Sequence, residues 1–234
     1  MTRRRIDALL LEWEGTLCDT APIRTRALAA VLAEDGVAVD PASLATRAAG
    51  VPTATAVRAV LAGAAIAADE TAIELLTLRV DRRIGAALRE GLALVPGARN
   101  AVERLAARTR LGIVTRSNRA EAEQVVAAAE LEHAITCIVG TDDAYPGKPS
   151  PAPYAAALRR LAGVGSPGGT GITVALEDAP AGIRAARAAG VRCIAVGPLP
   201  AHEALEADAL VAALADLDLA TIHQLVAREG EEFP

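Results

Sequence analysis

Five apolar runs of strand length, and a shorter sixth, lie between helical patterns in this chain. They are Ile6–Glu12, Leu111–Ser117, Ile135–Thr141, Ile172–Asp178, Cys193–Gly197 and the shorter Ala209–Ala212. Continuous apolar runs, unlike alternating ones, suit parallel strands covered on both faces by helices. The helical segments between and after them are Ala98–Arg108, Ala120–Ala129, Pro153–Ala162, Pro180–Ala189 and Asp218–Arg228. Pro153 near a helix start and Gly190 after a helix end supply start and stop signals. Regular strand–helix alternation predicts an α/β fold with a doubly wound, Rossmann-like parallel sheet.

One stretch breaks the rhythm. From Thr20 to about Leu92 no strand pattern occurs, only helical segments near Pro22–Glu34, Pro41–Ala49, Thr53–Ala62 and Glu70–Arg89. Asp40-Pro41 reads as an N-cap followed by proline at the first helical position. The predicted division is therefore a core of residues 1–19 and 93–234 with an all-helical insert, 20–92, returning through Val95-Pro96-Gly97. Such an insert would cap the carboxyl edge of the sheet, where open α/β sheets bind ligands. The glycine-rich stretch Gly163–Gly171 lacks a following Lys-Ser/Thr and reads as a connector, not a phosphate-binding P-loop.

Composition narrows the functional class. The chain of 234 residues is 52% hydrophobic with four aromatic residues, so the core is built from aliphatic methyl groups. A net charge of -5 argues against a nucleic-acid partner, and the cluster Arg3-Arg4-Arg5 reads as a solvated start. No apolar run reaches the roughly 18 residues of a membrane span, and acids at positions 7, 12 and 14 interrupt any signal-peptide core. Cys18, Cys137 and Cys193, like the three histidines, are scattered without metal-ligand spacing. These features lead us to expect a cytoplasmic protein with no membrane partner.

Chemistry-bearing residues concentrate where the apolar runs end. The first run reads ALLLEWEGTLCDT over Ala8–Thr20, placing Glu12 and Glu14 on the same side of a strand end. Two carboxylates leaving a buried strand are costly unless a cation or a proton needs them. Val114-Thr115-Arg116-Ser117-Asn118 ends another run with hydroxyls and turn-forming residues whose backbone N–H groups suit a phosphate oxygen. Leu176-Glu177-Asp178-Ala179-Pro180-Ala181-Gly182 again ends a strand in acids, and acids from two strands on one edge suit Mg2+. Lys148, in Gly147-Lys148-Pro149-Ser150-Pro151, is the sole lysine of a chain that otherwise uses arginine. A compact ammonium can bridge two oxygen atoms where a planar guanidinium does not fit.

Acid pair, hydroxyl, lysine, acid pair: in this order the four segments resemble the four motifs of the haloacid dehalogenase-like superfamily. The subgroup is that with a helical cap after the first motif, similar to phosphoglycolate phosphatases and β-phosphoglucomutase-like enzymes. The family's first motif is Asp-x-Asp-Gly-Thr-Leu-x-Asp, and both leading aspartates are glutamate here. The resemblance implies Glu12 as nucleophile forming an acyl phosphate, and Glu14 as general acid/base that also offers its backbone carbonyl to Mg2+. It implies Thr115, Arg116 and Ser117 as phosphate-binding residues, and Lys148 as the cation pairing the phosphate with the nucleophile. Glu12, Glu14, Glu177 and Asp178 would hold the metal, Asp178 more directly than Glu177. Each glutamate adds a methylene, and a displacement of roughly 1 Å can slow in-line attack about 100-fold.

The expected activity is Mg2+-dependent hydrolysis of a small phosphomonoester, with slow turnover. The alternative is an impaired relative that binds a phosphorylated ligand or a protein partner. A phosphoglucomutase is disfavoured because Ala49, Val51, Pro52 and Thr53 around Gly50 lack basic residues. A dehalogenase is disfavoured by Glu14 and by the Glu177-Asp178 pair, which that chemistry does not need.

Overall fold

The computed structural model describes residues 5–40, 43–44, 51–91, 94–163 and 171–227. Two compact units emerge, Met1–Cys18 with Ala93–Pro234, and Asp19–Leu92.

The larger unit is an α/β fold, as the apolar runs predict. Its strands are β1 (Ile6–Leu11), β2 (Arg110–Val114), β3 (Ile135–Val139), β4 (Ile172–Glu177), β5 (Arg192–Val196) and β6 (Ala209–Val211). They form one sheet in the order β3-β2-β1-β4-β5-β6. Every pairing is parallel. β1, β2, β4 and β5 are buried almost throughout, which explains their unbroken apolar sequences. From β1 the chain winds outward through β2 and β3, then crosses to β4 on the other side of β1. The β1/β4 junction is thus the topological switch point, whose carboxyl end is the usual ligand crevice.

Helices of this unit start and stop on recognisable signals. They are α4 (Ala98–Ala106), α5 (Arg119–Ala128), α6 (Ala152–Gly163), α7 (Pro180–Ala188) and α8 (Leu219–Val226). Asn118 caps α5 by accepting from the Glu121 N–H at 2.8 Å, and Asp218 caps α8 by accepting from Thr221 N–H at 2.7 Å. Pro180 opens α7 at a position where its missing N–H costs nothing. The core between α6, α7 and the sheet is aliphatic, with Leu10, Val114, Val139, Ala157, Leu161, Ile183 and Cys193 around one aromatic residue, Tyr154.

The smaller unit is helical: α1 (Ala21–Glu34), α2 (Thr53–Gly63) and α3 (Glu70–Glu90). Val31 and Leu32 of α1, Val57 and Val60 of α2, and Val80 and Ile84 of α3 are buried at helical spacing. Asp69 caps α3 at 2.8 Å, and Arg79 pairs with Asp35 at 2.7 Å and Glu34 at 2.9 Å. The predicted helix over Pro41–Ala49 and the Gly50 loop lie largely outside the described residues. Within that stretch, Asp40 does cap the next turn, accepting from Ser43 N–H at 2.9 Å. Arg3, Arg4 and most of the Gly163–Gly171 connector also lie outside. In the larger unit the chain leaves and re-enters through adjacent segments: Cys18 bridges Leu94, and Val95 N–H donates to Leu17 O at 2.8 Å.

No helix among the described residues is long and apolar enough to cross a membrane.

Candidate active site

Parallel register aligns the predicted residues. Leu11 pairs with Ile113 on one side and Leu176 on the other. The next residues outward are therefore Glu12, Val114 with Thr115 beyond it, and Glu177. Glu12 continues the ladder for one bond, its N–H donating to Leu176 O at 3.0 Å. Thr115 does the same on β2, donating to Val139 O at 2.9 Å. Glu12, Thr115, Ser117 and Glu177 are all buried.

Lys148 joins them. Its ammonium donates to Val114 O at 2.7 Å, Glu12 Oε2 at 3.0 Å and Glu177 Oε1 at 2.5 Å. The Lys148 side chain is 1% exposed, so this is a buried bridge between carboxylates from two neighbouring strands. Its peptide bond to Pro149 is cis.

Glu12 is held at both oxygens. Oε1 accepts from the N–H of Trp13 at 2.9 Å and of Glu14 at 3.4 Å, while Oε2 takes the lysine. The extra methylene of the glutamate is thus absorbed by folding the carboxylate back over its own strand end. Burial pushes the Glu12 carboxyl up, but the charges of Lys148 and Arg116 and a hydrogen bond from Thr115 bring it below the ordinary value. Thr115 Oγ1 also accepts from Ser117 N–H at 3.1 Å, tying the β2 turn together. Glu14 is half-buried and bridges Cys18 through its backbone.

The second acid pair divides in two. Glu177 Oε1 is shared by Lys148 and the hydroxyl of Tyr154. Burial and the Glu12 charge raise its carboxyl, against the pull of Lys148. Asp178 Oδ1 is buried with no hydrogen-bond partner. Burial, then the charges of Glu12 and Glu177, push the Asp178 carboxyl up to about 8, against Arg116 and Lys148. Both acids stand against glycines: a Cβ on Gly182 would overlap the Glu177 carboxylate, and one on Gly15 the Asp178 carboxylate. Gly15 has φ +72°, which glycine alone adopts without strain.

This donor set suits a divalent cation. Two carboxylates share one lysine ammonium, and a third, Asp178, has a buried oxygen with no hydrogen-bond partner. Among the described residues no three His, Cys, Asp or Glu side chains form a closed cage. Mg2+ does not require one, since it takes one or two carboxylates and keeps water and phosphate oxygens.

Tyr154 escapes the sequence reading. It lies in the first turn of α6, six residues after the lysine, and is fully buried. Its phenol stays protonated, raised well above its ordinary value by burial and by Glu177. Its rarity is the available signal, because the chain has only two tyrosines.

A doubly wound sheet with acids, a hydroxyl and a lysine at its switch point defines a Rossmann-like hydrolase core. Residues 12–196 match the haloacid dehalogenase-like hydrolase family, and the chain belongs to that family, as its four motifs imply. A phosphoglycolate phosphatase of Rhodospirillum rubrum is 33% identical over 189 residues, covering 79% of this chain and 76% of the relative. CbbY of Rhodobacter sphaeroides, solved in complex with phosphate, is 27% identical with a TM-score of 0.76, over 91% of this chain and 96% of CbbY. β-Phosphoglucomutase of Clostridium difficile shares the fold, with a TM-score of 0.78 over 94% of this chain and 96% of that one, at 17% identity. The subgroup named from the motifs agrees with these relatives. Phosphoric monoester hydrolysis is the enzyme class they support.

Proposed function

We propose that the chain hydrolyses a small phosphomonoester through a phosphoryl group carried on Glu12, with Mg2+ as cofactor. The observation that carries this is the buried Lys148 bridge between Glu12 and Glu177 at the switch point. A relative named phosphoglycolate phosphatase and a CbbY structure holding phosphate support the substrate class.

In this reading Glu12 attacks phosphorus and forms an acyl phosphate, while the substrate's ester oxygen leaves with the electron pair of the P–O bond. Glu14 gives that oxygen a proton, then takes one from the water that attacks the phosphoryl group. Inorganic phosphate departs and Glu12 is restored as a carboxylate. Thr115, the backbone at Arg116, Ser117 and Lys148 hold the phosphoryl oxygens. Phosphoryl transfer is mostly positioning and charge neutralisation, which this set can supply.

Asp178, Glu12 and the Glu14 carbonyl would hold Mg2+, with Glu177 behind them. When bound, Mg2+ neutralises charge developing on the phosphoryl oxygens. The longer glutamate arm makes turnover slow, by about 100-fold for a 1 Å misplacement of the attacking oxygen. The helical unit, 20–92, is the cap, and cytoplasm is the expected compartment.

The test is phosphate release across a panel of phosphomonoesters, 2-phosphoglycolate included, with Mg2+. Turnover should fall at least about a thousandfold in Glu12→Gln. Turnover unchanged in that variant overturns the mechanism, and none from the wild-type chain across the panel overturns the function.

A further inference from the structure

Lys148 has three ammonium protons, and each has an acceptor. Val114 O is held by the sheet, since Val114 pairs with Val139. Glu12 is the reacting group. Glu177 is the third, a side chain with three torsions, and something must hold it still.

Two neighbours do so. Gly182 leaves the space that the carboxylate fills, and the Tyr154 hydroxyl donates to the oxygen that Lys148 uses. The same tyrosine meets the lysine directly, because the ammonium lies 5.5 Å from the ring centroid, within cation–π range. The ring is fully buried and belongs to the same core cluster as Val114, Val139, Ala157 and Leu161. Tyr154 thus connects the aliphatic core to the side chain of Glu177.

We infer that Tyr154 is a positioning residue for phosphoryl transfer: its hydroxyl fixes Glu177, and Glu177 places the Lys148 ammonium against Glu12. The ring fills the core and the oxygen aligns the site. Only the kinetic readout rests on the phosphatase reading.

Tyr154→Phe separates the two roles, because it keeps the ring and removes one oxygen. The sole lysine makes Lys148 directly visible: lysine labelled with 13C at Cε gives one side-chain signal. In the Phe variant that signal should move and broaden, and inorganic phosphate, titrated by calorimetry with Mg2+, should bind about three- to tenfold more weakly. With substrate, kcat should fall about tenfold, and kcat/KM by at least as much. Val191→Ala, in the same core cluster but away from Glu177, controls for lost packing and should keep kcat within about twofold. A Phe variant within twofold of wild type in signal, phosphate affinity and kcat overturns the inference. So does a Val191→Ala variant as slow as Tyr154→Phe. If the wild-type chain turns nothing over, the phosphatase reading fails, and the lysine signal and phosphate titration still decide the role of Tyr154.

Discussion

Removing the ammonium from the site should unfold the larger unit more easily, and do so in a pH-dependent way. Lys148→Met keeps the apolar stem of the side chain out to the Cε position and deletes the ammonium. Glu12 and Glu177, both fully buried, then face each other and Asp178 without their shared cation. Breaking a buried pair by removing one partner costs about 3–5 kcal/mol. For a unit of this size each kcal/mol moves Tm by about 2–4 °C, so a fall of roughly 6–20 °C is expected. The sign of the pH effect follows from Glu12. In the wild-type protein Lys148 helps to hold its carboxyl below the ordinary value, so its contribution is present above that ordinary value and lost as pH falls further. Without the ammonium, burial dominates and raises it, and the folded variant takes up a proton that the unfolded chain does not. Its stability therefore rises as pH falls from 7.5 to 5, and the gap to wild type narrows by about 1 kcal/mol or more. Urea unfolding at both pH values, in chelator so that no cation replaces the lysine, measures this. A deficit under about 1 kcal/mol at pH 7.5, or one equal at both pH values, refutes the bridge.

Gly182→Ala drives a methyl group into the Glu177 carboxylate. It should destabilise the protein by about 1–3 kcal/mol in urea unfolding and shift the single lysine signal; a variant as stable as wild type contradicts the packing. Asp178, pushed up to about 8, holds its proton at pH 7 in metal-free protein. Mg2+ binding at pH 7 should release about one proton, seen in calorimetry as heats that scale with buffer ionisation, whereas at pH 9 or in Asp178→Asn they should not. The same raised carboxyl favours folding below its unfolded value near 4. That contribution is lost as pH rises through about 8, so metal-free Tm should fall across this window.

The sheet was legible because parallel strands covered on both faces leave continuous apolar runs. The ends were less so, for a physical reason. The apolar runs reach Ser117, Thr141 and Asp178, yet the strands stop at Val114, Val139 and Glu177. The polar residues at those ends leave the ladder to make the site, so the error falls on the residues that matter. Lys148 stood out by isolation in an arginine-only chain. Tyr154 did not, because a tyrosine in a helix reads as core filling, and only coordinates show its hydroxyl on a carboxylate. The split between Glu177, bonded to Lys148 and Tyr154, and Asp178, with its unpartnered oxygen, is likewise invisible in two adjacent letters.

Keeping a single lysine has a chemical consequence beyond the site. The only ε-amine of this chain is 1% exposed and ion-paired to two carboxylates. Esters, aldehydes and acyl donors that seek lysine thus meet a surface whose side-chain cations are guanidinium groups. Lysine acylation cannot decorate this protein without breaching its centre. Any lysine adduct found on it would be a record of the crevice having come apart.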